Sequence, residues 1–78
     1  MTTNFFTVEY AIITNAEGVH PYGRGMSRSV CRAMAKASSQ AWDQYERSRA
    51  TNWGDCWVRV YKGGKLIAHG FENDLEAV

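Results

Sequence analysis

Two patterns of apolar and polar positions divide the chain. In the middle, Val30, Met34, Ala37, Ala41 and Tyr45 recur at spacings of four, three, four and four. That is one face of a 3.6-residue helix, and it predicts a helix from Ser27 to Arg49. Ala33 and Ser48 fall on the same side, and Arg28, Arg32 and Lys36 fall on the opposite one. On either side of the helix the period shortens to two. Phe6, Val8, Tyr10 and Ile12 alternate with Phe5, Thr7, Glu9, Ala11 and Ile13, which predicts a strand from Phe5 to Thr14 with the first set inward. Two β-rich runs, Cys56 to Tyr61 and Leu66 to Phe71, flank Lys62-Gly63-Gly64-Lys65 and read as a tight hairpin.

The intervening segments are shorter. Asn15-Ala16-Glu17-Gly18 has turn chemistry, and Val19 to Tyr22 reads as a short edge strand, because Pro21 cannot donate to a ladder. Gly23-Arg24-Gly25 reads as a flexible bend into the helix, Thr51 to Asp55 as a loop, and Glu72 to Val78 as a frayed acidic tail. With the two glycines as the hairpin loop, Val60 faces Ile67, Val58 faces His69 and Cys56 faces Phe71. Cys56, Val58, Val60, Ile67 and Phe71 then point at the helix, while Trp57, Arg59 and Tyr61 point away. The predicted architecture is α+β in the order β-β-α-β-β: an antiparallel sheet with one long helix packed on one face. Residues 1–78 are expected to form a single domain.

Charge changes the picture of the helix. No Asp or Glu occurs from Gly18 to Trp42, so its first half is purely basic. Cations at a helix amino terminus oppose the helix dipole, at a cost of roughly 0.3–1 kcal/mol each. Ser27 or Ser29 is the candidate cap, without a Glu or Gln three residues on to complete a capping box. The whole chain has a net charge of only +1. This excludes an overall basic nucleic-acid binder and a strongly acidic DNA mimic, and leaves local asymmetry as the source of any electrostatic function.

Two surfaces are candidate binding sites. Arg24, Arg28, Arg32 and Lys36 form a basic set for an acidic protein patch or a phosphate backbone; the alternative is a solvated helix face. Trp57, Arg59 and Tyr61, with Phe5 and Ile13 if the first strand joins the sheet, make an aromatic surface around a cation. Those residue types dominate binding hot spots and can stack on unpaired bases. A second copy of the chain, its tail or the loop holding Trp53 could equally cover that face. Catalytic and metal chemistry find little footing. Cys31, Cys56, His20 and His69 are not paired at zinc-ligand spacing, so no metal and no cofactor is expected. Cys31 lies in a basic neighbourhood but lacks the orienting group a nucleophile needs, and the chain is not expected to be an enzyme. The start of the chain lacks a basic, then apolar, signal-peptide pattern. No stretch approaches the roughly 20 apolar residues of a membrane span, and a cytoplasmic location with free thiols is expected.

The stretches VHPYGRGMSRSVCRAMAKASSQA and WVRVYKGGKLIAHG carry a likeness of size, element order and texture. In these the chain resembles small phage-encoded inhibitor proteins of the anti-CRISPR type. The resemblance implies a non-enzymatic protein that binds a CRISPR effector complex in the host cytoplasm and blocks target-DNA binding or nuclease recruitment. Its partner would be a host protein or ribonucleoprotein complex. Many members of that family are strongly acidic, and the charge of +1 departs from them. A contact from Arg28, Arg32 and Lys36 to an acidic patch suits this chain better. A small nucleic-acid-binding module using the basic helix face, with Lys62 as a further phosphate contact, is the alternative, and a homodimer burying the outer sheet face is a third reading.

Overall fold

The computed structural model describes residues 5–15, 20–48 and 50–78. Its elements are β1 (Phe6–Thr14), β2 (Tyr22–Ser27), α1 (Val30–Arg47), β3 (Trp53–Lys62), β4 (Lys65–Phe71) and β5 (Asp74–Ala77). The strands form one sheet in the order β2-β1-β3-β4-β5, with every neighbouring pair antiparallel. The helix packs on one face, so the expected α+β layout holds and gains a fifth strand.

The core follows the two periods. Val8, Tyr10 and Ile12 of β1, Cys56, Val58 and Val60 of β3, and Ala33, Ala37 and Ala41 of α1 are buried, with Phe6, Val30, Met34, Trp42, Tyr45, Ile67 and Ala68 packed around them. Ser29 caps the helix by accepting the Arg32 N–H, which places the helix start three residues inside the expected one. Ser48 closes the other end, and Arg49 lies outside the described residues.

The second strand is where the chain departs most from the pattern. Gly23-Arg24-Gly25 is the centre of β2, paired with β1 from Phe6↔Ser27 to Ala11↔Tyr22, and not a bend. Of the expected Val19–Tyr22 strand, Val19 lies outside the described residues, His20 and Pro21 precede β2, and only Tyr22 belongs to it. The glycines are there for the helix. A Cβ on Gly23 would stand 1.8 Å from the Ala37 carbonyl oxygen, and one on Gly25 2.3 Å from that of Ala33. Strand and helix backbones touch, glycine against alanine.

The far side of the sheet holds two further corrections. The Gly63-Gly64 loop is as expected, both residues having the positive φ of a primed hairpin turn, 59° and 83°. Beyond Tyr61↔Leu66, however, the register shifts: Val60 pairs with Ala68, Arg59 with His69, Val58 with Gly70 and Trp57 with Phe71. Ile67 is the extra residue of a β-bulge. The expected pairs Val60–Ile67, Val58–His69 and Cys56–Phe71 are thus replaced. Phe71, expected against the helix, is 44% exposed. The acidic tail is β5, which pairs with β4 from Ala68↔Ala77 to Phe71↔Asp74. β3 also begins at Trp53, inside the stretch expected to be a loop.

Candidate binding faces

The outer sheet face is built from alternate residues of all five strands. Because Gly23 and Gly25 face the helix, Tyr22, Arg24 and Met26 of β2 face away from it. Glu9 and Ala11 pair with Arg24 and Tyr22, and on the other side with Arg59 and Trp57. The bulge turns His69 and Phe71 to this same face, opposite Arg59 and Trp57. Trp57 meets Phe71 edge-on at 5.0 Å between ring centroids and lies 6.1 Å from the His69 ring. Tyr22, Met26, Phe71 and Ile13 remain 41–50% exposed.

Glu9 is the electrostatic centre of this face. Tyr22 donates its hydroxyl to the Glu9 carboxylate at 2.8 Å. That bond, helped by a hydrogen bond from Tyr61 and the positive charges of Arg59 and Arg24, outweighs desolvation and lowers the Glu9 pKa. The Tyr22 phenol shifts the other way, raised by burial first and by Glu9 second. The result is a carboxylate between two guanidinium groups, within an aromatic rim of Tyr22, Tyr61 and Trp57. A shallow hollow lined by Thr7, Glu9, Tyr22, Arg24, Tyr61 and Gly64 marks one side of it.

The four basic residues expected to act together do not share one surface. Arg24 stands on the outer sheet face, beside Glu9 and Tyr61, and joins Trp57, Arg59 and Tyr61 there. Lys36 is drawn to the sheet edge, where its ammonium donates to the Met26 carbonyl at 3.0 Å. Arg28 lies over the Phe5 ring at 5.7 Å. Arg32 is exposed at the start of the helix. The basic face therefore shrinks to Arg28 and Arg32. Lys62, too, has an aromatic neighbour, the Phe6 ring at 5.5 Å.

Lys36 is part of a row that pattern reading passed over. Gln40 accepts the Arg24 N–H at 3.1 Å and Gln44 accepts the Tyr22 N–H at 3.0 Å. Lys36, Gln40 and Gln44 stand at i, i+4 and i+8, and together they satisfy three backbone groups on the outer edge of β2. A spacing of four in long polar side chains was the available signal; its meaning needed the strand beside it.

A second site lies at the end of the sheet where β3 begins and β4 turns into β5. Tyr10, Trp42, Trp53, Asp55, Cys56, Phe71, Glu72 and Asn73 line a cleft of about 350 Å³. Tyr10 donates its hydroxyl to the Glu72 carboxylate. Burial, with Cys56 and Glu72 as neighbours, pushes the Tyr10 phenol far above its ordinary value. Burial likewise raises the Cys56 thiol. Both cysteines are free, Cys31 exposed and Cys56 buried. Among the described residues no group of three or more His, Cys, Asp or Glu could hold a metal ion, and no helix is long and apolar enough to cross a membrane.

No family model matches the chain, and neither a curated protein nor a solved structure is significantly similar to it.

Proposed function

We propose that the protein is a non-enzymatic binding module that occupies a surface of a larger host protein or ribonucleoprotein complex with its outer sheet face. One observation carries the reading: Tyr22, Arg24, Trp57, Arg59, Tyr61, His69 and Phe71 converge on a face over which the described residues place no second layer. Trp, Tyr and Arg are the side chains that anchor interfaces, through large apolar area and charged, directional tips. A contiguous patch of this kind marks a contact site more often than a solvated wall. In its finer form the proposal makes the partner a CRISPR effector complex in the host cytoplasm and the effect a block of target-DNA binding or nuclease recruitment. That form rests on the likeness in size and element order alone.

The choice of face is testable by capture of the purified effector complex on immobilised protein. Trp57→Ala and Arg59→Glu should abolish capture, whereas Arg28→Glu with Arg32→Glu should leave it intact. Loss only in the helix variants would overturn the assignment. If the face instead binds nucleic acid by stacking, a single-strand titration at two salt concentrations will show tight binding that falls steeply with salt. Glu9, Asp74 and Glu76 on or beside this face work against that outcome. A homodimer through the same face would appear in light scattering as a wild-type dimer and a Trp57→Ala monomer.

A further inference from the structure

We propose that the cleft between the carboxyl half of α1, the start of β3 and the β4–β5 turn binds an organic ammonium ion. The proposal is independent of the outer face. Three features of the cleft point to a cation with an apolar shell. First, two of its lining residues are tryptophans whose rings stand at right angles: Trp42 and Trp53 are 5.1 Å apart at 77°, and Tyr45 buttresses Trp42 edge-on at 5.3 Å. The face of an indole ring is negative and attracts a cation. Tyr10 lies at the floor, and the chain from Phe71 to Asn73 closes the other side.

Second, the charge is of one sign. Asp55 and Glu72 both line the cleft, and among the described residues no Lys, Arg or His does. Third, the floor is polar but neutral. The Tyr10 hydroxyl donates to Glu72 and the Cys56 thiol is buried. Two carboxylates beside a pair of indole rings are the elements of the cages that take quaternary and alkylated ammonium groups. A metal ion would find too few donors here, and an anion would be repelled. A neutral apolar ligand would leave the negative charge of the two carboxylates uncompensated. The mouth is open, since Trp53 is 49% exposed and Asp55, Glu72 and Asn73 are exposed as well. The head group can therefore belong to a free small molecule or to an alkylated lysine side chain.

The test is a titration followed by the indole N–H signals of the three tryptophans in a proton–nitrogen correlation spectrum. Choline is the probe, with 3,3-dimethylbutan-1-ol, its uncharged isostere, as control. Saturable shifts of Trp42 and Trp53, with Trp57 unmoved and no response to the alcohol, are expected. Trp53→Ala should weaken choline binding about 2- to 30-fold. Trp53→Phe should restore part of it, and Asp55→Asn should weaken it while reducing its dependence on salt. Trp53 is half exposed, and an unchanged amide spectrum will show that the variant is folded. Equal response to the alcohol, no saturable response at millimolar choline, or undiminished binding by folded Trp53→Ala would each overturn the proposal. A peptide carrying trimethyllysine, titrated in parallel, separates the two sources. Tighter binding of the peptide than of choline assigns a protein side chain, and equal binding a free ammonium compound.

Discussion

At the scale of single residues, Gly23 and Tyr10 carry the most weight. Gly23 is where β2 and α1 touch backbone to backbone, and a methyl group there would collide with the Ala37 carbonyl oxygen and, at 2.9 Å, the Ala41 nitrogen. Neither can move without shifting the helix. Gly23→Ala should therefore destabilise by about 3 kcal/mol, the upper part of the range for overpacking, seen as a lower urea midpoint with an unchanged slope. Gly63→Ala, in the open hairpin loop, should cost less, roughly 1 kcal/mol, because only the positive φ opposes it. Tyr10 makes stability depend on alkaline pH. Its folded pKa is raised above the 10.0 of a free phenol. The stabilisation that keeps it neutral is complete below pH 10.0 and is lost as the pH rises beyond it, since the unfolded chain then ionises first. Thermal melts between neutral pH and pH 11 should show a steep decline in the wild type and a shallower one in Tyr10→Phe.

At the scale of elements, the helix does more than fill the core. Its Lys36-Gln40-Gln44 row covers the open edge of β2 and satisfies three of the backbone groups that invite edge-to-edge association. Gln40→Ala with Gln44→Ala should speed hydrogen exchange at the Tyr22 and Arg24 amides without unfolding the core. The same double variant should associate more readily at high concentration, which light scattering will detect. The opposite edge is guarded differently, by a strand of only four residues that carries Asp74 and Glu76. The bulge at Ile67 belongs to this scale too. Without it, His69 and Phe71 would pack toward the helix and the outer face would lose two aromatic rings.

At the scale of the whole molecule, the helix is not centred on the sheet. It lies over β2 and β1, while β4 and β5 extend beyond it and give the molecule extents of 44 × 21 × 19 Å. Leu75 and Val78 remain 37% and 73% exposed on that extension. Few buried side chains hold β5 down, so it should open at a free energy below that of global unfolding. Native-state exchange should find the β4–β5 amides, Leu75 among them, less protected than those of Val8 and Tyr10. The proposed cation site spans the boundary between the two parts, with Trp42 on the helix and Glu72 at the turn of the extension. Bound choline should therefore slow exchange in β5, by the linkage that ties any native-state ligand to stability.

The sequence by itself determined the helix, its alanine face, the inward set Phe6, Val8, Tyr10 and Ile12, the Gly-Gly hairpin loop and hence the α+β class. Each is written in a local period or a turn residue, and burial against any partner enforces it. Tertiary structure alone decided the rest. A period of two is blind to a single extra residue, so nothing in Leu66 to Phe71 announced that Ile67 would bulge and send Phe71 outward. Gly-Arg-Gly suits a bend as well as a strand; it became a strand because only glycine lets the helix backbone sit against β2. Lys36 looked like part of a basic binding stripe until the edge of β2 supplied a carbonyl for it. The cleft was invisible in the chain because Tyr10, Trp42, Trp53 and Glu72 come from four separate segments, and only packing brings them together.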